Sequence, residues 1–222
     1  MGNKRKTRRI AEVAEFENVL EYTDFEDSIK PAGLWNEKIF KNSHPIILEL
    51  ACGKGEYTLG LARRNPSGNY IGIDIKGPRI WRGAKTALKE GLDNVRFLRI
   101  FIDHLSEYFG PDEIDEIWIT FPDPYIRKKS KRSKRLTSAK FLNIYRKLLK
   151  PGGLIHLKTD SPILYQFTLD TIREEGCSLI ELNDNVYGNK HTNDLLTIQT
   201  FYEKMHLAEG KTIYYVAFQL ND

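Results

Sequence analysis

Only two of the 222 residues are cysteine, Cys52 and Cys177, too few for a disulfide framework, and neither stands at a ligand spacing from any of the five histidines. No metal site is expected. No apolar run approaches the roughly 18 residues needed to span a bilayer, so no membrane partner is expected either. The chain begins Met-Gly, but Lys6 occupies the position where a myristoylation signal needs Ser or Thr. Its polar, charged start is unlike a secretory signal. A reducing cytoplasm is the expected compartment.

What is present is a globular composition, 41% hydrophobic, with an uneven charge. The length suits one large domain or two small ones. A net charge of +4 conceals two basic clusters free of acid. Residues 1–9 carry Lys4, Arg5, Lys6, Arg8 and Arg9, and residues 127–135 carry Arg127, Lys128, Lys129, Lys131, Arg132, Lys134 and Arg135. The remaining chain holds 22 cations against 30 carboxylates. An acidic body with two concentrated basic segments suits a polyanion binder, because phosphate neutralisation rewards clustered cations. A solvated loop and a basic tail would give the same composition.

Residues 1–40 look like an arm, with a short amphipathic helix in "IAEVAEFENVLEY" carrying Ile10, Val13, Phe16 and Leu20 near one face. From residue 41 to 222 a single domain is expected. Strands are predicted at "PIILELACG", "NYIGIDI", "NVRFLRIF", "DEIWITFP" and "LIHLKTD", with helices of ten to fifteen residues between most of them. Such alternation predicts parallel βαβ units in an α/β, doubly wound sheet. "CSLIELN" and the alternating "TIYYVAFQL" follow. Ligands of these sheets sit at the carboxyl ends of the strands, which here carry Glu49–Gly55, Asp74, Asp103, Asp123 and Asp160.

"ELACGKGEY" places Gly53 and Gly55 where a backbone must turn tightly, and Asp74 follows the next strand at the spacing of a ribose-binding carboxylate. The third glycine of a nicotinamide fingerprint is missing, its place taken by Thr58. Glu49 at the strand end would repel a pyrophosphate. A ligand with a ribose diol and positive charge fits better, and S-adenosylmethionine is one. Glu49, Gly53, Gly55 and Asp74 resemble motifs I and II of the Rossmann-like methyltransferases. Asp103 either accepts from an adenine amine or caps the turn of helix that follows.

In "FPDPYIRKKSKRSKRLTSAKF" prolines flank Asp123 and restrict it. The cations begin four residues on, so one carboxylate stands at the cleft beside a basic grip. This stretch resembles the tRNA (guanine-N7)-methyltransferase family, and the likeness continues through "KTDSPILY" and "TFYEKMHLAEGKTIY". The resemblance implies a Rossmann-like class I fold, mostly parallel with an antiparallel C-terminal strand. It implies S-adenosylmethionine as donor, tRNA as partner and N7 of guanine at position 46 as target. Donor contacts would fall on Glu49, Asp74, Asp103 and Asp123, with Asp123 also catalytic. Substrate contacts would fall on Arg127, Asp160, Thr200, Tyr202 and Glu203, and phosphate contacts on Lys128, Lys129, Lys131, Arg132, Lys134 and Arg135. Tyr125 and Arg127 replace the family's usual tryptophan and lysine, and the basic stretch lacks its histidine. A monomer or a homodimer is compatible with the sequence. The competing readings are a methyltransferase of small molecules or ribosomal RNA, an RNA-binding scaffold without catalysis, and a nicotinamide enzyme.

Overall fold

In the computed structural model, which describes residues 2–25, 30–127, 129–190 and 193–221, the apolar runs become strands. Two units divide the chain, Met1–Gly110 and Pro111–Asp222.

The first unit contains α1 (Gly2–Val13), β1 (Val19–Glu21), β2 (Ile46–Leu50), α2 (Glu56–Arg64), β3 (Asn69–Ile73), α3 (Gly77–Glu90), β4 (Val95–Arg99) and α4 (Leu105–Tyr108). Its strands run parallel in the order β1-β4-β3-β2. Every residue of β2 and β3 is buried, as expected where helices cover both faces of a parallel sheet. The arm expected at 1–40 does not stand apart, because β1 pairs with β4 from Val19↔Phe97 to Glu21↔Arg99.

The helix of this segment lies earlier than the apolar spacing predicts, in the basic stretch itself. Trp81 of α3 explains the shift. Arg9 lies over its ring at 4.5 Å, its indole N–H donates to Glu12 at 2.7 Å, and Val13 is fully buried. Tertiary contact therefore recruits residues that by themselves repel one another. Beyond α1, Asn18 donates to Ala84 O at 3.0 Å, and its carbonyl accepts from Phe97 N at 2.8 Å. These two bonds draw the chain across α3 into the edge of the sheet.

The second unit contains β5 (Ile114–Thr120), α5 (Ala139–Tyr145), β6 (Leu149–Thr159), α6 (Pro162–Glu174), β7 (Ser178–Asn183), α7 (Phe201–Ala208) and β8 (Tyr214–Gln219). The order is β5-β6-β8-β7. β5 and β6 are parallel, and β8 is antiparallel to both its neighbours. Trp118 and His156 stack across β5 and β6 at 4.0 Å, and His156 Nδ1 meets the Tyr215 hydroxyl of β8 at 2.8 Å. Ser161 caps α6, its hydroxyl accepting from Leu164 N at 3.2 Å, and Pro162 opens the helix at the position proline prefers. Among the described residues no helix is long and apolar enough to cross a membrane.

One aromatic ring sets the spacing of the first unit. Phe97 of β4 is fully buried under glycines from three elements. A Cβ on Gly55, Gly72 or Gly83 would lie 2.5, 2.8 or 2.6 Å from the ring, and one on Gly83 would also lie 2.6 Å from Lys54 O. Gly55 additionally has φ +67°, which side chains disfavour. The ring thus clamps the glycine turn, β3 and α3 together. Gly83→Ala should lower stability by about 1–3 kcal/mol, although alanine alone favours a helix by ~1 kcal/mol. Urea unfolding reads the difference, and an unchanged midpoint would show that the ring is not clamped.

Candidate active site

In the first unit the turn after β2 carries three alternate left-handed positions, Ala51 (φ 57°), Gly53 (φ 59°) and Gly55 (φ 67°). A non-glycine residue there costs on the order of 1–3 kcal/mol and marks a site held by its surroundings. The holding group is Asp74, at the end of β3. One carboxylate oxygen accepts from Gly53 N at 3.1 Å and the other from Lys76 N at 2.8 Å. Asp74 is thus tied to the glycine turn and to the start of α3 together.

Glu49 is 2% exposed and accepts from both the backbone N–H of Thr58, at 2.8 Å, and its hydroxyl. The residue that breaks the dinucleotide fingerprint is therefore used to hold Glu49 and to satisfy an open donor in the first turn of α2. Burial, with Glu49 and Asp74 nearby, pushes the Cys52 thiol well above its ordinary value, which keeps it uncharged. Asp103 is exposed in a 3-10 turn, Ile102–His104, and occupies neither helix cap there. Of its two expected roles, capping is not met.

The second unit assembles the Phe-Pro-Asp-Pro loop, the end of β6 and the start of α7. Phe121 (φ 48°) and Tyr125 (φ 45°) are both left-handed, so the loop turns sharply on either side of its prolines. Asp123 is exposed and accepts from Tyr125 N at 2.9 Å, an Asx turn that fixes the carboxylate. Phe121 lies against His206 of α7 at 6.0 Å between rings. His206 Nε2 is 3.5 Å from Asp160 and Lys211 Nζ is 3.3 Å from it. Asp160 follows β6, but the cap of α6 is Ser161, which leaves the carboxylate to the side chains of His206 and Lys211.

The basic loop separates into two kinds of cation. Arg127, Lys131, Arg132 and Lys134 are exposed. Arg135, expected to meet phosphate, is instead 3% exposed. Its Nε donates to Pro124 O at 2.8 Å, and its guanidinium lies over the Phe167 ring at 4.4 Å. Burial lowers its pKa from the ordinary value. It braces the loop from beneath. Lys128 lies outside the described residues, as do the side chains of Lys129 and of Lys4, Arg5 and Lys6.

Glu203 also departs from expectation. It is fully buried, and so is Lys158 of β6, whose Nζ lies 2.6 Å from Glu203 Oε1. Lys158 further donates to Leu196 O at 2.6 Å and Ile198 O at 3.1 Å. Tyr187 donates to Glu203 at 2.8 Å, and burial beside that carboxylate pushes the phenol far above its ordinary pKa. Thr200 and Glu203 form a reciprocal capping box. Glu203 therefore anchors α7 and is withdrawn from any ligand, while Tyr202 beside it is 43% exposed. The Thr-x-x-Glu spacing was the readable signal of this role; nothing in "LIHLKTD" announces a buried Lys158. Removing one member of a buried pair costs about 3–5 kcal/mol. Lys158→Met should show that loss in urea unfolding, and the double variant Lys158→Met/Glu203→Gln should lose less than the two singles together. Strict additivity would dissociate the pair.

Comparison with known proteins identifies the family. Residues 43–216 match the family described as "Putative methyltransferase". A tRNA (guanine-N(7)-)-methyltransferase of Christiangramia forsetii is 51% identical over 99% of this chain and 100% of its own. Another from Porphyromonas gingivalis is 50% identical over 86% of this chain and 77% of its own. The 16S rRNA methyltransferase KamB shares the fold at a TM-score of 0.64 and 15% identity, over 84% of this chain and 92% of that one. With half of its residues shared over nearly the whole length of the first relative, this chain belongs to the tRNA (guanine-N(7)-)-methyltransferase family.

Proposed function

We propose that the protein transfers a methyl group to N7 of a guanine in tRNA, at position 46 as the family resemblance implies. The observation that carries this reading is the joining of an exposed, turn-fixed Asp123 to the exposed cations Arg127, Lys131, Arg132 and Lys134. Family membership supports the same activity.

S-adenosylmethionine fits the first unit. A Cβ on Gly53 would meet nothing nearer than Ala51 O at 4.0 Å, so the turn leaves room for a ligand against its backbone. Glu49 and Asp74 give that region the negative charge a sulfonium and an ammonium favour. Asp74 suits a ribose diol, and Asp103, exposed after β4, suits an adenine amine. When bound, this donor supplies an electrophilic methyl group.

The rest falls to the chain's own residues. Guanine N7 has an in-plane lone pair and no proton, so no general base is required. Orientation of the reacting pair is worth on the order of 7–11 kcal/mol. The base turns cationic as it reacts, and Asp123 stabilises that charge or orients the ring. Asp160 and Tyr202 remain the groups for the guanine edge, with N1–H and N2–H₂ donating to Asp160, while Thr200 is buried in the capping box with Glu203. Specific hydrogen bonds of this kind reject a wrong base by roughly 10⁴-fold. Extruding the base costs a few kcal/mol, which the loop cations offset through phosphate contacts.

Unmodified tRNA incubated with labelled donor should yield 7-methylguanosine on nucleoside analysis. Asp123→Ala should lose about 10²- to 10³-fold in turnover with tRNA still bound; turnover near wild type would remove Asp123 from the chemistry. Replacing Lys131, Arg132 and Lys134 with Gln should weaken tRNA binding and flatten its salt dependence by about two to three in log–log slope, while donor affinity stays unchanged. Equal losses in both affinities would contradict that separation of roles.

A further inference from the structure

A third group of cations became visible only when α3 was in place. Lys76, Arg79, Arg82, Lys85 and Lys89 recur every three or four residues with no acid among them. All five are exposed. At 3.6 residues per turn the four within the helix fall inside an arc of about 120°. The opposite face, Ile80, Ala84 and Ala87, is fully buried. Lys76, Arg79, Arg82 and Lys89 pair with no carboxylate among the described residues.

Two contacts extend this row in opposite directions. At one end, the Lys76 N–H donates to Asp74 at 2.8 Å, so the row starts at the residue that ties the glycine turn. Along its flank, Trp81 is covered by Lys85 at 4.8 Å and by Arg9 of α1 at 4.5 Å. Arg9 of α1 thereby continues the row. The one carboxylate in the seam, Glu12, is taken up by Trp81 and by Arg8 at 2.7 Å. Burial of Val13 and the Trp81 contacts fix α1 in place.

We propose that α3 and the docked α1 form a second RNA-binding ridge, which grips the phosphate backbone of the substrate in the first unit and adds to the loop at 127–135. Like charges at helical spacing cost about 0.2–0.5 kcal/mol per pair, and a polyanion lying along them removes that cost. A helix of this length spans roughly 20 Å, room for several phosphates. An anionic membrane is a poorer occupant, because an interfacial helix needs an apolar face beside its charges. The apolar face of α3 is turned into the unit, leaving Leu88 as its one exposed aliphatic side chain. The ridge rests on the proposed action on tRNA, and its contribution is independent of base sequence.

The test replaces Arg82, Lys85 and Lys89 with Gln together. A control replaces Lys38, Lys41 and Lys147, three exposed cations off the ridge. Three lost phosphate contacts should weaken full-length tRNA binding about 10- to 100-fold at 0.1 M salt and reduce the log–log salt slope by about two to three. Donor affinity and the unfolding midpoint should match wild type, and the control should change tRNA affinity less than about twofold. If the ridge variant binds tRNA like the control while wild type still forms 7-methylguanosine, the ridge is overturned and the function stands. If wild type forms no 7-methylguanosine yet the ridge variant alone loses RNA affinity, the ridge stands and the function is overturned. Loss of binding to vesicles containing phosphatidylserine, with tRNA binding intact, would assign the ridge to a lipid surface and overturn the proposal.

Discussion

A carboxylate at the end of a strand, accepting backbone N–H groups from the turn beside it, is the device on which both units depend. Asp74 does this at the end of β3, binding Gly53 N and Lys76 N with its two oxygens. Were it absent, the glycine turn and the entry to α3 would each lose the acceptor for a backbone N–H. Glu49 repeats the arrangement with Thr58, and Asp123 repeats it in exposed form with Tyr125. The carboxylates proposed for ligand contact are thus the same groups that fold the turns around them.

The strained backbone positions cluster at these turns. Ala51 follows β2, and Phe121 and Tyr125 bracket the prolines after β5. Such conformations persist only where the surroundings over-determine them. Here the surroundings are visible: the Phe97 clamp under Gly55 and Gly83, and Arg135 bonded to Pro124 O beneath the loop. Packing beneath these turns therefore sets how their carboxylates are presented.

Cations in this protein divide by burial rather than by residue type. Arg135 and Lys158 lie within the structure and hold carbonyls, a carboxylate or an aromatic face. The cations at 131, 132 and 134 and along α3 lie outside, exposed to solvent. The first kind holds the fold at the cost of desolvation; the second keeps its hydration and is screened by salt. Charge runs in a sequence mix both kinds, which is why one loop supplies an internal brace and a set of exposed cations.

Periodicity alone determined the βαβ alternation, the strand ends that carry Glu49, Asp74, Asp103, Asp123 and Asp160, and the two acid-free clusters, because these depend on local pattern and on residues near one another in the chain. Tertiary structure decided the rest. Trp81 gave the basic start a surface to fold against, so its helix begins at Gly2 and not near Ile10. Lys158 and Glu203, 45 positions apart in sequence, found each other only once β6 and α7 packed. The row of cations on α3 became one face only when the helix buried Ile80, Ala84 and Ala87. Local pattern fixes which way a side chain can point; only the packed fold decides what it meets there.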